Sequence, residues 1–210
     1  MDRNDETRND ALPDNALPNE IANPDRPLVS VFGSSSLTPA DDAWHDAERL
    51  GQRLAEAGYG VLTGGYSGLM EAVSKGARSV AGAPVVGITA PDVFKQRSGG
   101  NPFLTREVGA PHLLERIHLL TERSAASVAL PGSIGTLTEL MIVWNLASVA
   151  PMAGRPVKPI IALGEVWLEL IPQLSERLGA EAPIQMTDTV EGVLEHLRYH
   201  HHQQHRHHRP

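Results

Sequence analysis

The feature that most constrains this chain is an alternation. From Leu28 onward, short apolar runs pass through loops of glycine, serine and threonine into longer segments with apolar residues at helical spacing. The short runs fall at 28–32, 61–62, 84–88, 126–130 and 159–163, and the helical segments at 38–57, 69–81, 113–124, 136–147, 167–178 and 190–197. Runs of five residues or fewer are too short for helices and read as strands. Strand–helix units repeated at this length leave one economical solution, in which parallel strands are joined by right-handed helical crossovers. The expected fold is therefore α/β, a single doubly wound, mostly parallel Rossmann-like sheet with helices on both faces. Its ligand is expected at the carboxyl ends of the strands.

Local signals set the boundaries. Thr38-Pro39 reads as an N-cap with proline at the first helical position, and Gly58 reads as the residue just past that helix's end. Residues 1–26 are rich in Asp, Asn, Glu and Pro and poor in large apolar side chains, so they read as a disordered acidic arm. Residues 27–198 form the expected domain, and 199–210 a solvated histidine-rich tail. The formal net charge of -7 argues against a nucleic-acid partner, because phosphate backbones select clustered Lys and Arg. With no cysteine there is no thiolate nucleophile and no cysteine-ligated metal. No apolar signal core opens the chain, and no uninterrupted apolar run is read as a membrane span, so the expected location is cytoplasmic.

Chemistry concentrates in three small-residue loops that follow strands, at 33–36, 64–68 and 132–136. In a doubly wound sheet such loops gather at one edge. The third loop is the most suggestive, since the stretch from Val128 to Glu139 runs from an apolar strand through Pro131-Gly132 into a long helix. The unpaired N–H groups at such a helix start suit a phosphate. Thr136-x-x-Glu139 also fits a capping box, in which the glutamate only satisfies the helix's own N–H groups. The common phosphate devices are missing: there is no G-x-x-x-x-G-K-[ST], and G-x-G-x-x-G fails at Tyr66. Nor does any G-x-S-x-G nucleophile elbow with evident partners occur.

The stretch Pro131-Gly132-Ser133-Ile134-Gly135-Thr136-Leu137-Thr138-Glu139 resembles the P-G-G-x-G-T-x-x-E signature of the LOG family, the phosphoribohydrolases of cytokinin nucleotides and their bacterial relatives, formerly labelled lysine decarboxylases. Val31-Phe32-Gly33-Ser34-Ser35 resembles that family's first strand and turn, and Gly64-Gly65-Tyr66-Ser67-Gly68-Leu69-Met70 its G-G-x-x-G-x-M segment. Leu114-Glu115-Arg116 falls where the family has M-x-x-R-K. The resemblance implies that Arg116 and Glu139 are catalytic. It also implies a phosphate and nucleotide cradle formed by Gly33, Ser34, Ser35, Gly64, Gly65, Gly68, Met70, Gly132, Ser133, Ile134, Gly135 and Thr136. Three positions depart from the pattern: Ser133 for the second glycine, Ile117 for the lysine after the arginine, and Tyr66 for a common glycine.

The chemistry accommodates this pair. Cleavage of an N-glycosidic bond passes through an oxocarbenium-like centre that a carboxylate can stabilise while orienting water. An arginine can hold phosphate or ribose oxygens with a planar, charged fork. A decarboxylase using pyridoxal phosphate would need a lysine in a cofactor setting, and Lys75, Lys95 and Lys158 have none. The expected activity is hydrolysis of a purine nucleoside 5′-monophosphate, plain or N6-modified, to free base and ribose 5-phosphate, with no cofactor and no metal. The expected assembly is a homodimer or higher homo-oligomer. The alternative is a non-catalytic carrier for a phosphorylated ligand, a nucleotide or molybdenum cofactor.

Overall fold

The computed structural model describes residues 26–97 and 99–206. The acidic arm, apart from Arg26, and the last four residues of the tail lie outside the described residues. Seven strands form one sheet: β1 Leu28–Phe32, β2 Gly60–Thr63, β3 Val85–Thr89, β4 Arg106–Gly109, β5 Ala126–Ala129, β6 Ile160–Leu163 and β7 Gln185–Thr187. Their order is β4-β3-β2-β1-β5-β6-β7, with every neighbouring pair parallel. The chain winds outward from β1 to β4, then returns to β5 and winds the other way. This is the doubly wound plan expected from the alternation.

Side-chain alternation along the strands feeds two cores. Val29, Val31, Val61, Val85, Val128 and Ile161 pack against α1 (Asp42–Glu56), α2 (Leu69–Arg78) and α6 (Val190–Arg206). Leu28, Phe32, Leu62, Val86, Ile88 and Ile160 pack against α3 (Leu113–Glu122), α4 (Ile134–Val149) and α5 (Glu165–Leu178). Burial on both faces explains why the central strands read as unbroken apolar runs.

Several expectations need correction at element ends. The edge strands β4 and β7, Arg-Glu-Val-Gly and Gln-Met-Thr, are short and half-exposed, so they lack the apolar run by which the inner strands announce themselves. Helix α1 starts three residues later than Thr38-Pro39 suggested. Thr38 donates from N and Oγ1 to Asp41 Oδ2, at 2.7 and 3.0 Å, closing a turn and leaving Asp41 as the N-cap position. Helix α6 continues to Arg206, past the expected domain limit.

Helix α4 is the most apolar helix of the fold, though Thr138, Glu139, Asn145 and Ser148 interrupt its apolar run. Together with a 3₁₀ turn at Ala150–Ala153, it makes the 20-residue segment Ile134–Ala153, long and apolar enough to cross a membrane by length and composition. Leu140, Val143, Trp144 and Ala147 nevertheless pack into the sheet core, as in a central helix apolar on more than one face. Ile134, Leu146, Val149 and Met152 remain on the outside, the last 81% exposed.

The α1–α2 contact is set by glycine. A Cβ on Gly51 would overlap the Val73 carbonyl, and one on Gly76 would overlap that of Glu48, so the two helices touch backbone to backbone. Helix propensity alone favours Gly76→Ala by about 1 kcal/mol. Forced separation of the helices outweighs that gain, and Gly51→Ala and Gly76→Ala should each lower stability by about 1–3 kcal/mol in urea unfolding. A neutral or stabilising result would refute this close approach.

Candidate functional site

The winding reverses between β1 and β5, and the crevice above their carboxyl ends is where an open α/β sheet receives a ligand. The loops predicted from sequence meet there and are stitched together. Ser34 N donates to Pro131 O at 3.1 Å, Leu69 N to Ser34 O at 2.8 Å, and Ser67 Oγ to Ser35 O at 3.1 Å. Gly33, Ser34, Ser35, Gly68 and the turn after β5 thus form one continuous backbone surface. Gly65 belongs to its underside, with its carbonyl accepting from Asn101 N at 2.7 Å and Asn101 Nδ2 at 3.2 Å.

At the start of α4 the N-cap position is Ser133, and Leu137 N donates to Ser133 O at 3.0 Å. The N–H groups of Ile134, Gly135 and Thr136 therefore precede the helical ladder, at the positive end of the helix. Gly132, Ser133, Ile134 and Gly135 are exposed, whereas Thr136 is buried beneath Gly132. The Ile134 side chain is 75% exposed, so this residue offers the crevice its backbone. The capping box does not form. With helix starting at Ile134, Thr136 is its third residue and Glu139 its sixth, a full turn beyond the N–H groups a capping glutamate serves.

Glu139 instead faces Arg116. Arg116 Nη1 lies 3.5 Å from Glu139 Oε1, with the two side chains 8% and 12% exposed. The guanidinium is held elsewhere as well: Nε donates to Ile88 O at 2.8 Å, Nη2 to Gly64 O at 3.2 Å, and Nη2 lies 4.0 Å from Met70 Sδ. Gly64 makes this possible, because a Cβ there would overlap Arg116 Nη2. Met70 is buried as the floor of the same corner.

Burial dominates the electrostatics of the pair. It pushes the Glu139 carboxyl up to about 7, and the nearby Arg116 charge offsets only part of that. Burial also pushes Arg116 down, against the stabilising charge of Glu139, yet a guanidinium stays protonated. A single long approach, in place of a bidentate fork, is too weak to hold the carboxylate fully ionised. The corner therefore joins a fixed cation, a carboxyl that exchanges its proton near neutrality, and a helix N-terminus.

Sequence reasoning missed the residues that close one side. In the loop after β3, Phe94 packs edge-on against Tyr66 with ring centroids 5.4 Å apart, and the Arg97 guanidinium lies 4.5 Å from the Tyr66 ring. Tyr66 Oη accepts from Ala90 N at 2.8 Å, so the departure from glycine at this position has become a loop anchor. Their signal in the sequence was only an aromatic and an arginine inside a Pro/Gly loop. His112 is an N-cap, its Nδ1 accepting from Glu115 N at 3.1 Å, and His118 is exposed on α3. Lys158 donates to the last carbonyls of α3, from Thr121 and Glu122, and Lys75 pairs with Glu48, while Lys95 is exposed.

A model of the SLOG cluster4 family matches residues 26–184, spanning strands β1 to β6 and all three loops. The chain belongs to that family. The LOG resemblance read from the motifs therefore holds. Two curated relatives from rice (Oryza sativa subsp. japonica), each named a probable cytokinin riboside 5′-monophosphate phosphoribohydrolase, are 38% identical over 120 residues and 36% identical over 134 residues. These matches take in 55% and 63% of this chain and 48% and 56% of the relatives, so the chain spans about half the length of each. Among solved structures, the molybdenum cofactor binding protein of Rippkaea orientalis superposes with a TM-score of 0.65 at 24% identity, covering 83% of this chain and 96% of that one. At that identity the likeness shows the fold alone.

Titration of Glu139 tests the corner directly. Carbon-13 NMR of labelled glutamate carboxyls should show one group titrating near pH 7. Arg116→Met should move it higher by removing the opposing charge. The folded carboxyl holds its proton above the ordinary value of 4.5, so its contribution to stability is present below that pH and is lost as pH rises through about 7. A midpoint in the ordinary carboxylate range would show that the corner is wet.

Proposed function

We propose that this protein is a nucleoside 5′-monophosphate phosphoribohydrolase, cleaving a purine nucleotide, including one modified at N6, to free base and ribose 5-phosphate. The observation that carries the proposal is the Arg116–Glu139 pair beside the open N-terminus of α4, at the point where the sheet's winding reverses. In this reading the phosphate binds the N–H groups at 133–136, with Gly132 making room for Thr136 beneath the turn and open space around Gly135. Arg116 positions ribose or phosphate oxygens with its Nη1 edge, since Nε and Nη2 are already engaged with backbone carbonyls. Glu139 in its ionised form stabilises the ribosyl cation and orients the attacking water, which completes hydrolysis as the base leaves with its bonding electron pair. Membership of the SLOG cluster4 family and the names of the rice relatives support the same reaction class.

A carrier reading has its own support. Ile117, where the LOG pattern has lysine, is buried and brings no charge, and the Rippkaea protein of like fold binds molybdenum cofactor. The two readings separate on turnover. Incubation with a panel of purine nucleoside monophosphates should release base and ribose 5-phosphate, and Glu139→Gln and Arg116→Ala should each lower kcat/KM by about 10²-fold or more. Tight nucleotide binding with no base released from any member would establish the carrier instead. For an active enzyme, kcat/KM should rise with pH through about 7 as Glu139 of the free enzyme ionises, and Glu139→Gln should abolish that limb.

We further propose a homodimer joined through the outer face of α4, where Leu146, Val149 and Met152 leave apolar surface exposed beside a groove of about 340 Å³ lined by Val143, Ala150 and Ile160. Sedimentation velocity should give a dimer for the wild type and a monomer for Leu146→Glu/Met152→Glu. A wild-type monomer at micromolar concentration would exclude this assembly.

A further inference from the structure

The loop after β3 brings a second arginine to the crevice, and neither the sequence motifs nor the proposed mechanism uses it. Arg97 Nη2 donates to Ser35 Oγ at 3.2 Å, in the turn after β1 that faces the switch point. Its guanidinium carbon lies 4.5 Å from the Tyr66 ring and 4.8 Å from the Phe94 ring. Arg116 approaches the same two rings from deeper in the protein, 5.8 Å from each. The two cations therefore share one aromatic pair, and the charge of Arg97 acts on Arg116.

The loop is itself firmly anchored. Asn101, 9% exposed, donates from Nδ2 to Gly65 O and Tyr66 O, both at 3.2 Å. Glu107 accepts from Thr89 Oγ1 at 2.8 Å and from Gly100 N at 3.1 Å, so its carboxylate is committed to the loop's frame. Arg97 has no ion pair with a carboxylate among the described residues. A guanidinium has five N–H donors, and Ser35 uses one.

The charge balance is unusual for this chain. A protein of formal net charge -7 holds two arginines around a corner where burial pushes the Glu139 carboxyl up to about 7 and the Glu107 carboxylate is engaged by Thr89 and Gly100. The local sign is positive, and the surplus suits a group with close to two negative charges. A phosphomonoester has that charge at neutral pH, with several strong acceptor oxygens for a planar fork.

We propose that Arg97 is a second anion-binding residue of this crevice and a specificity determinant, clamping a phosphomonoester between its guanidinium, Ser35 and the α4 N-terminus so that the phosphorylated ligand is preferred over the same ligand without phosphate. The choice of nucleotide as ligand rests on the proposed function; the anion-binding role of Arg97 does not. Stacking on Tyr66 and Phe94 fixes the guanidinium plane before any ligand arrives, which limits the entropy lost on binding. Lysine at this position would keep the charge and lose both the fork and the stack.

The test is calorimetric, on the full chain. Wild type, Arg97→Ala and Arg97→Lys are titrated with inorganic phosphate, and with AMP and adenosine in a Glu139→Gln background so that AMP is not consumed, and thermal unfolding is recorded for each variant. The expected result is a loss of AMP and phosphate affinity on the order of ten-fold or more in Arg97→Ala. Arg97→Lys should recover only part of that loss, and adenosine affinity should be unchanged in both variants. Equal losses for AMP and adenosine would mean that Arg97 only fastens the loop, and would overturn the proposal. So would phosphate affinity indifferent to Arg97, or a wild type that binds no phosphate at millimolar concentration. Phosphate binding through Arg97 with neither AMP nor adenosine bound supports the role of Arg97 while defeating the nucleotide reading.

Discussion

A guanidinium buried at the ends of two strands organises this molecule's functional edge. Arg116 takes the carbonyls of Ile88 and Gly64 as acceptors, so the ends of β3 and β2 are satisfied by a side chain from α3. Leaving such a charge buried without partners would cost about 3–5 kcal/mol, and the surrounding residues follow from avoiding that penalty. Residue 64 has no side chain, because any Cβ would displace the guanidinium. Met70 supplies a soft, polarisable floor. Glu139 completes the set from α4, at a distance that offsets part of the burial of both groups without neutralising either.

Much of the fold was legible because it depends on short-range patterns. Five apolar runs separated by helix-length segments permit little except a doubly wound sheet, and Gly58 marked the end of α1 where it was expected. The elements that escaped, β4 and β7, are edge strands, whose Arg106, Glu107 and Gln185 carry no burial signal. The start of α1 was misplaced because Thr38-Pro39 satisfies the local rules, while Asp41, three residues on, binds that threonine and claims the N-cap position.

The candidate site was legible to a different degree. Arg116 and Glu139 stood out through a motif resemblance, and local reasoning alone offered the glutamate a capping role that the register of α4 withdraws. The cluster of Phe94, Arg97 and Asn101 had no pattern to betray it. Arg97 reaches Ser35 across 62 residues and Asn101 reaches Gly65 across 36, and loop-to-loop contacts of that kind have no period. Tyr66 was noticed as a departure, but its meaning depends on Ala90 and Phe94, which only the fold brings near.

Glu139 has a consequence beyond pH profiles. A carboxyl poised near 7 in a buried corner responds to charge placed beside it, and a dianionic ligand would raise its hold on a proton further. Binding of such a ligand would then draw a proton from solution, and the observed heat would vary with the ionisation enthalpy of the buffer. It follows too that the pH ranges favouring occupancy and ionised Glu139 pull in opposite directions. With the phosphorylated ligand proposed above in place, filling the site and arming its carboxylate would compete for the same hydrogen ion.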